Sequence, residues 1–348
     1  MRSRSHITPL TIRYSDEDGI ALILALFIVA LCTVIVTQLT YTGMLDTSLH
    51  LLSKRSLESE YLMKSAINFG RAILKADVSE EDAEQDAWGP FLNGIEIPKE
   101  ILNVRDPSVR VELEIRPVSA SLPLRAVVSG DRANVKWRDV FQRFFEKMGF
   151  DSDELPDESG LFPGQVFDSS QVVANMIDYM DTDEVSYEAD DFVGGIESNL
   201  PDSATFPNRS SLRWIGELYA IPGMNADRVR RISPFVTAFG NGRTVNINLA
   251  PRIVLESLHP EIGASQAEAI IQLRSEEAFT NVNKKGRLAP DIIPEEVYNE
   301  ITPLIGIGSR WFQILAKVDY GSSTSFMRAY VSQTKPGELP LLKITEMF

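Results

Sequence analysis

From Ile20 to Thr37 the chain reads IALILALFIVALCTVIVT, eighteen residues without a charge. As an α-helix this run spans ~27 Å, close to the ~30 Å hydrocarbon thickness of a bilayer. A secretory h-region is shorter, roughly 7–15 residues, and ends at a small-residue cleavage site. Here the run exits through Gln38, Thr40, Tyr41 and Thr42, with no A-x-A-like site. The reading is a membrane helix that stays in the protein. Arg2, Arg4 and Arg13 precede it, and no Lys or Arg follows until Lys54. Basic residues near a span set its orientation, so the N-terminus stays cytoplasmic and the rest of the chain lies across the membrane.

Beyond the span, Leu45, Leu49 and Leu52, then Leu62, Ala66, Phe69 and Ile73, recur at helical steps. One amphipathic helix is therefore predicted from about Ile20 to Lys75, stopping before the acidic loop EEDAEQD and Gly89-Pro90. In SVRVELEIR, Val109, Val111, Leu113 and Ile115 alternate with Arg110, Glu112, Glu114 and Arg116, the pattern of a half-buried strand. WFQILAKVDYGSSTSFMRAYVSQ predicts two further strands joined at Gly321-Ser322-Ser323. The stretch between is mostly helical in pattern: VKWRDVFQRFFEKMGF, SSQVVANMIDYMD, SSLRWIGELYA, ADRVRRISPFV, PRIVLESL and ASQAEAIIQLR. Helix, strand, a long helical block and then strands make an α+β chain with a helical domain inserted into the host; surface loops tolerate insertion when their ends lie close.

Charge is unevenly spread. The 348 residues carry 34 Lys+Arg and 49 Asp+Glu, a formal charge of −15. Between Glu146 and Asp202 there are sixteen acids and one base, so this block holds the net charge of the whole chain. Disorder fits poorly, because Val172, Val173, Met176 and Ile177 lie inside it in helical register. Asp178, Asp181, Asp183, Glu188, Asp190 and Asp191 fall within fourteen residues, and a folded loop this acidic needs a cation nearby. Hard oxygen ligands without Cys or His suit calcium; the EF-hand pattern is absent. The alternative is a solvated acidic surface.

Enzymatic and nucleic-acid readings find little support. His6, His50 and His259 have no histidine near them in sequence, and neither G-x-S-x-G nor a P-loop occurs. The single Cys32 excludes an internal disulfide. Ile221–Ile232, IPGMNADRVRRI, has the form of a helix-hairpin-helix and is locally basic through Arg228, Arg230 and Arg231. The overall acidity and the topology argue for a hairpin that packs helices, with no nucleic acid as partner.

A nineteen-residue polar stretch ending in glycine before an apolar helix resembles the leader of type IV pilin-like proteins, which a membrane peptidase cuts after the glycine. On that resemblance Gly19 ends the leader, Ile20 starts the mature chain and Leu24 is its fifth residue. Most pilins and pseudopilins carry glutamate there; its absence is a feature of the general secretion pathway protein K (GspK) family of type II secretion systems. Asp16, Glu17 and Asp18 stand where that family has a basic residue before the glycine. Three further stretches are similar to the family: IDYMDTD (Ile177–Asp183), SSLRWIGELYAIPGM (Ser210–Met224), and ISPFVTAF with TVNINLAPRIVLESL (Ile232–Leu258).

The resemblance implies a non-enzymatic minor pseudopilin at the tip of a periplasmic pseudopilus. It implies inner-membrane, single-pass anchoring in a Gram-negative bacterium, and calcium bound in the helical domain. Its partners would be I-like and J-like minor pseudopilins, the pseudopilus, the inner-membrane secretion platform and the prepilin peptidase. The expected divisions are leader 1–19, transmembrane helix 20–41, pilin-like α/β domain 42–118 and 305–335, inserted helical domain 119–304 and a C-terminal tail 336–348. The rival reading is a single-span periplasmic sensor or adhesin with a calcium-dependent recognition domain.

Overall fold

The computed structural model describes residues 16–282, 292–321 and 323–348. Most of the leader, with its three arginines, therefore lies outside the described residues. Helix α1 runs from Asp16 to Ala76, 61 residues. It agrees with the predicted extent to within four residues at its start and one at its end.

The chain divides into two units, Met1–Glu60 and Tyr61–Phe348. In the first, α1 is long and apolar enough to cross a membrane, and none of its apolar window is buried. A core helix of a water-soluble domain would be covered. The polar residues in and after this window satisfy themselves: the hydroxyls of Thr33, Thr37, Thr40 and Thr42 each donate to the carbonyl four residues back at 2.8–2.9 Å. That arrangement suits a segment with no water to bond to.

In the second unit, the end of α1 lies on a five-stranded antiparallel sheet: β1 (Ile95–Glu96), β2 (Val109–Pro117), β3 (Trp311–Tyr320), β4 (Ser323–Ser332) and β5 (Leu341–Met347), in that spatial order. The predicted alternation holds in β2, where Val109, Val111, Leu113 and Ile115 are all buried. Register places Leu113 opposite Ala316 and Ile115 opposite Ile314. Ala329 pairs with Ile314 on the other side. Met63, Ala66, Ile67 and Leu74 of α1 complete this core. A Cβ on Gly70 would sit 3.2 Å from Ile314 and 3.4 Å from Leu113. Glycine here allows the close approach of helix to sheet.

Residues 336–348, expected as a tail, contain β5. It pairs with β4 from Met327↔Met347 to Ser332↔Leu341, with a bulge after Tyr330. Its pattern LLKITEM carries apolar residues on both faces and so shows no clean period of two. The sheet thus extends to Met347, past the boundary expected near residue 335.

A second core, formed by residues from Leu122 to Ile305, belongs to the helical region. Its helices are α2 (Val135–Lys147), α3 (Ser169–Met180), α4 (Ala226–Ile232), α5 (Arg252–Leu258), α6 (Ala264–Glu276) and α7 (Glu295–Ile301). Phe141, Phe144 and Phe145 of α2 are fully buried, and Phe145 stacks on Phe150 at 4.7 Å. N-caps appear where short polar side chains precede the helices: Asn134 before α2, Asp168 before α3, Asn225 before α4. The expected helix SSLRWIGELYA is reduced to a 3-10 segment, Ile215–Ala220. Glu217 accepts the Arg213 backbone N–H at 2.9 Å and pairs with Arg209, and Pro222 follows. Side-chain bonding to the backbone competes here with α-helix.

After α3 the chain has little regular structure, and one carboxylate organises it. Asp178 is fully buried and accepts three backbone N–H groups, from Tyr187 (2.6 Å), Ile196 (2.6 Å) and Glu197 (2.7 Å). A Cβ on Gly195 would lie 2.1 Å from the Asp178 carboxylate, so only glycine fits beside it. Replacing Asp178 with alanine strands three backbone donors, that of Ile196 buried and those of Tyr187 and Glu197 partly buried. We expect a destabilisation on the order of 3–5 kcal/mol, read from denaturant unfolding in detergent.

Asp82 links the loop after α1 to the chain before β3. Its backbone N–H donates to Ile307 at 2.8 Å, and its carboxylate accepts the Ser309 N–H. Burial, reinforced by Asp77, Asp86 and Glu81, pushes its carboxyl from 3.8 up to about 7. A raised carboxyl favours the protonated native state: this stabilisation is full below the unfolded value and is lost as pH rises through about 7. Asp82→Asn keeps an acceptor for Ser309 and should remove that slope from a melting-temperature profile, leaving the variant more stable than the parent above pH 7.

Candidate metal centre

The six acids expected to bind metal have three different fates. Asp178 is engaged with three N–H donors as the organiser of the loop. Asp191 is bound by Arg138 through two hydrogen bonds, 3.2 and 3.0 Å. The Arg138 side chain is almost wholly buried and its guanidinium lies 4.4 Å from the centre of the Phe192 ring. The Arg138 hydrogen bond holds the Asp191 carboxyl below its ordinary value. Glu188 and Asp190 are exposed, with no ion-pair partner among the described residues. These four do not converge on one point.

Asp181 and Asp183 do converge, and they do so with Glu197, which the sequence reading left out. One carboxylate oxygen from each of the three lies within 4.8 Å of the others. Asp181 caps the C-terminus of α3, its N–H bonding the Ile177 carbonyl. Asp183 accepts the Val185 N–H at 2.9 Å. Glu197 opens a 3-10 turn whose N–H is held by Asp178, so the organising carboxylate delivers the third acid to the cluster. Asn208 closes the group: its Nδ2 donates to Glu197 Oε1 at 2.9 Å and to the Asp183 carbonyl.

Three buried oxygens in this cluster have no hydrogen-bond partner: Asp181 Oδ1, Glu197 Oε2 and Asn208 Oδ1. Buried acceptors left without donors are costly. Burial, with Asp183, Asp178 and Glu197 adding like charge, pushes the Asp181 carboxyl up to about 8. Burial also raises Glu197, against the lowering by Asn208. An all-oxygen donor set with unfilled acceptors fits a hard divalent cation of the calcium type. Neither Glu197 nor Asn208 stands out in the sequence. The available signal was Gly194-Gly195, which marks where the chain doubles back against Asp178 and brings residue 197 in.

The other acidic group, Asp77, Asp82 and Asp86, is differently satisfied. Trp88 Nε1 donates to Asp77 at 3.0 Å, Ser309 to Asp82 and the Ala83 N–H to Asp86 at 2.7 Å. The hairpin at Ile221–Ile232 is likewise filled from within. Its Gly223 and Ala226 N–H groups donate to Asp157 (2.8 Å) and Glu158 (2.9 Å). Arg228 is fully buried, bonded to Asp153 and to the carbonyls of Phe150, Phe167 and Gly223. Arg231 also pairs with Asp153. The groups that would hold phosphate are bound to the protein's own carboxylates and carbonyls. Gly19, Ile20 and Leu24 all lie on α1, with Leu24 60 % exposed.

Comparison with known proteins adds two findings. The family model of the type II secretion system (T2SS), protein K, matches residues 245–285. This stretch holds NINLAP, α5 and α6, and none of the acidic residues above. Comparison with curated proteins gives no match. Among solved structures, a chain of the GspK-GspI-GspJ complex from the enterotoxigenic Escherichia coli Type 2 Secretion System has a similar fold. Its TM-score is 0.62 at 12 % identity, covering 85 % of this chain and 98 % of that one. The match therefore takes in most of this chain and nearly all of that one. In fold, and in sequence across residues 245–285, the chain is GspK-like.

Proposed function

We propose that this chain is a minor pseudopilin of a type II secretion system, capping the tip of the periplasmic pseudopilus and starting its assembly with I-like and J-like subunits. The observation that carries the reading is a GspK-type fold behind an uncovered apolar helix whose fifth residue after Gly19 is Leu24. In this reading the prepilin peptidase cuts between Gly19 and Ile20, the helix anchors the protein in the inner membrane and the globular part lies in the periplasm. A free N-terminal ammonium in lipid is costly unless neutralised. The glutamate at the fifth position of a pilin-like subunit supplies that neutralisation to the subunit ahead; Leu24 supplies none. A subunit lacking the glutamate adds poorly beneath another and loses nothing at the front. The bulk of the helical region favours the same place, since a tip subunit has no neighbour above it.

Calcium is proposed at Asp181 and Asp183, with Glu197 and Asn208 completing the donors. Bound there, the ion would neutralise the carboxylates and satisfy the three unpartnered oxygens. Asp178 would shape the loop without touching the ion.

Quantitative labelling of isolated fibres tests position: one copy at one end is expected, and many copies spread along the length would exclude the tip model. Melting curves test the metal. Because binding to the native state alone stabilises by RT ln(1 + [L]/Kd), chelation should lower the melting temperature, and Asp181→Asn should shrink that difference.

A further inference from the structure

Asparagine followed by glycine is the pairing most open to attack by the chain on itself, because no Cβ shields the glycine nitrogen from the asparagine side chain. It occurs twice in this sequence, at Asn93-Gly94 and at Asn241-Gly242. Sequence alone does not distinguish the two; their surroundings do.

Asn93 ends the 3-10 turn Gly89–Asn93. The Gly94 N–H donates to the Phe91 carbonyl at 3.2 Å, and the Glu112 carboxylate fills the space beside Gly94. A nitrogen engaged as a donor and faced by a negative charge is poorly placed to become a nucleophile.

Asn241 and Gly242 are exposed, in the loop between Val236–Thr237 and Val245–Asn246. The Gly242 N–H makes no hydrogen bond among the described residues, and a Cβ placed there would meet nothing within 4 Å. The engaged group is instead the side chain that would be attacked. Asn241 Oδ1 accepts from Arg125 Nη1 at 3.3 Å, and the same nitrogen donates to the Gly240 carbonyl at 3.1 Å. Arg125 belongs to the 3-10 segment Leu124–Val127, and its Nε is buried without an acceptor. A guanidinium on an amide oxygen draws electrons from the amide carbon and stabilises the oxyanion that forms when that carbon is attacked. Both acceptors of Arg125 Nη1 are neutral oxygens; a carboxylate at position 241 would give it a charged and stronger one.

We propose that Asn241 is a self-modification site, converted to aspartate through a cyclic imide, with Arg125 polarising the carbonyl that is attacked. The Gly242 nitrogen forms a bond to Asn241 Cγ, the Cγ–Nδ2 bond breaks, and Nδ2 leaves as ammonia with the proton lost from Gly242. Water then opens the ring. Addition at Cγ, whose oxygen Arg125 binds, breaks the new C–N bond and restores the ordinary backbone with an aspartate side chain. Addition at the other ring carbonyl gives the isoaspartyl chain, so Arg125 favours the first product. The carboxylate formed ties Leu124–Val127 to a loop whose two ends pair with residues 122–123 and 305–306.

Peptide mapping by mass spectrometry, on the full chain aged in detergent micelles in mildly alkaline buffer, tests the proposal. The peptide holding residue 241 should gain about one mass unit, at least about tenfold faster than the peptide holding Asn93, with aspartyl in excess over isoaspartyl product. Arg125→Gln should slow the conversion about fivefold and move the product toward isoaspartyl. Gly242→Ala, which the open space accommodates, should slow it at least about tenfold by shielding the nitrogen. An unconverted Asn241, or conversion of Asn93 at the same rate, would overturn the proposal. An Arg125→Gln protein that ages at the parent's rate to the parent's product ratio would overturn the part given to Arg125.

Discussion

Along the last part of α1, Met63, Ala66, Ile67 and Leu74 press against a sheet face built from Leu113, Ile115, Ile314 and Ala316, and Gly70 lets the backbone come within contact of Ile314. The rest of the second unit depends on this seam. It fixes one face of β2, β3 and β4, and it forces the chain that leaves β2 to return to β3 as the next strand over, nearly two hundred residues later. Everything between those strands must fold without disturbing the pairing. The short parallel contacts Leu122–Pro123 with Val236–Thr237, and Val245–Asn246 with Ile305–Gly306, help hold the intervening region near its points of departure and return.

The same helix meets two kinds of surroundings. Residues 20–37 are apolar on every side, as a helix surrounded by lipid must be, and their threonines bond their own backbone. Residues after Tyr61 keep only one apolar stripe, because the opposite side faces water. The pattern changes from uncovered to half-covered without a break in the helix. An uncovered apolar segment followed by a half-covered one is what a subunit anchored in a membrane and built on a sheet requires.

In the helical region the governing interaction is polar. The Asp178 carboxylate takes three backbone donors from a loop that has almost no secondary structure. A buried carboxylate in that role determines the path of the chain more narrowly than apolar packing, since direction as well as distance is specified. The dense negative charge of residues 146–202 is spent unevenly: Asp153, Asp157 and Asp178 bind the protein's own arginines and N–H groups, Glu188 and Asp190 face water, and Asp181 with Asp183 is drawn into a cluster that keeps unpartnered oxygens. Only the last group has the chemistry of a cation site.

Much of this was determined by the sequence alone. The apolar run, the length of α1, the alternation in β2, the hairpin of β3 and β4, and the helices α2 and α3 follow from periods of 3.6 and 2 and from capping residues, which are local properties. The resemblance to the protein K family rested on short motifs in order, and one of them, TVNINLAPRIVLESL, overlaps the stretch that the family model matches. What only the tertiary structure decided has a common physical origin in contacts between distant residues. Apolar side chains on both faces erase the period of β5, so its sequence looks like a tail, and its pairing with β4 is visible only in three dimensions. The acids were legible as a charge excess but not as individuals. Charge density does not say which carboxylate meets a backbone N–H, which meets Arg138 and which is left facing Glu197 and Asn208; that is settled by how the loop winds around Asp178.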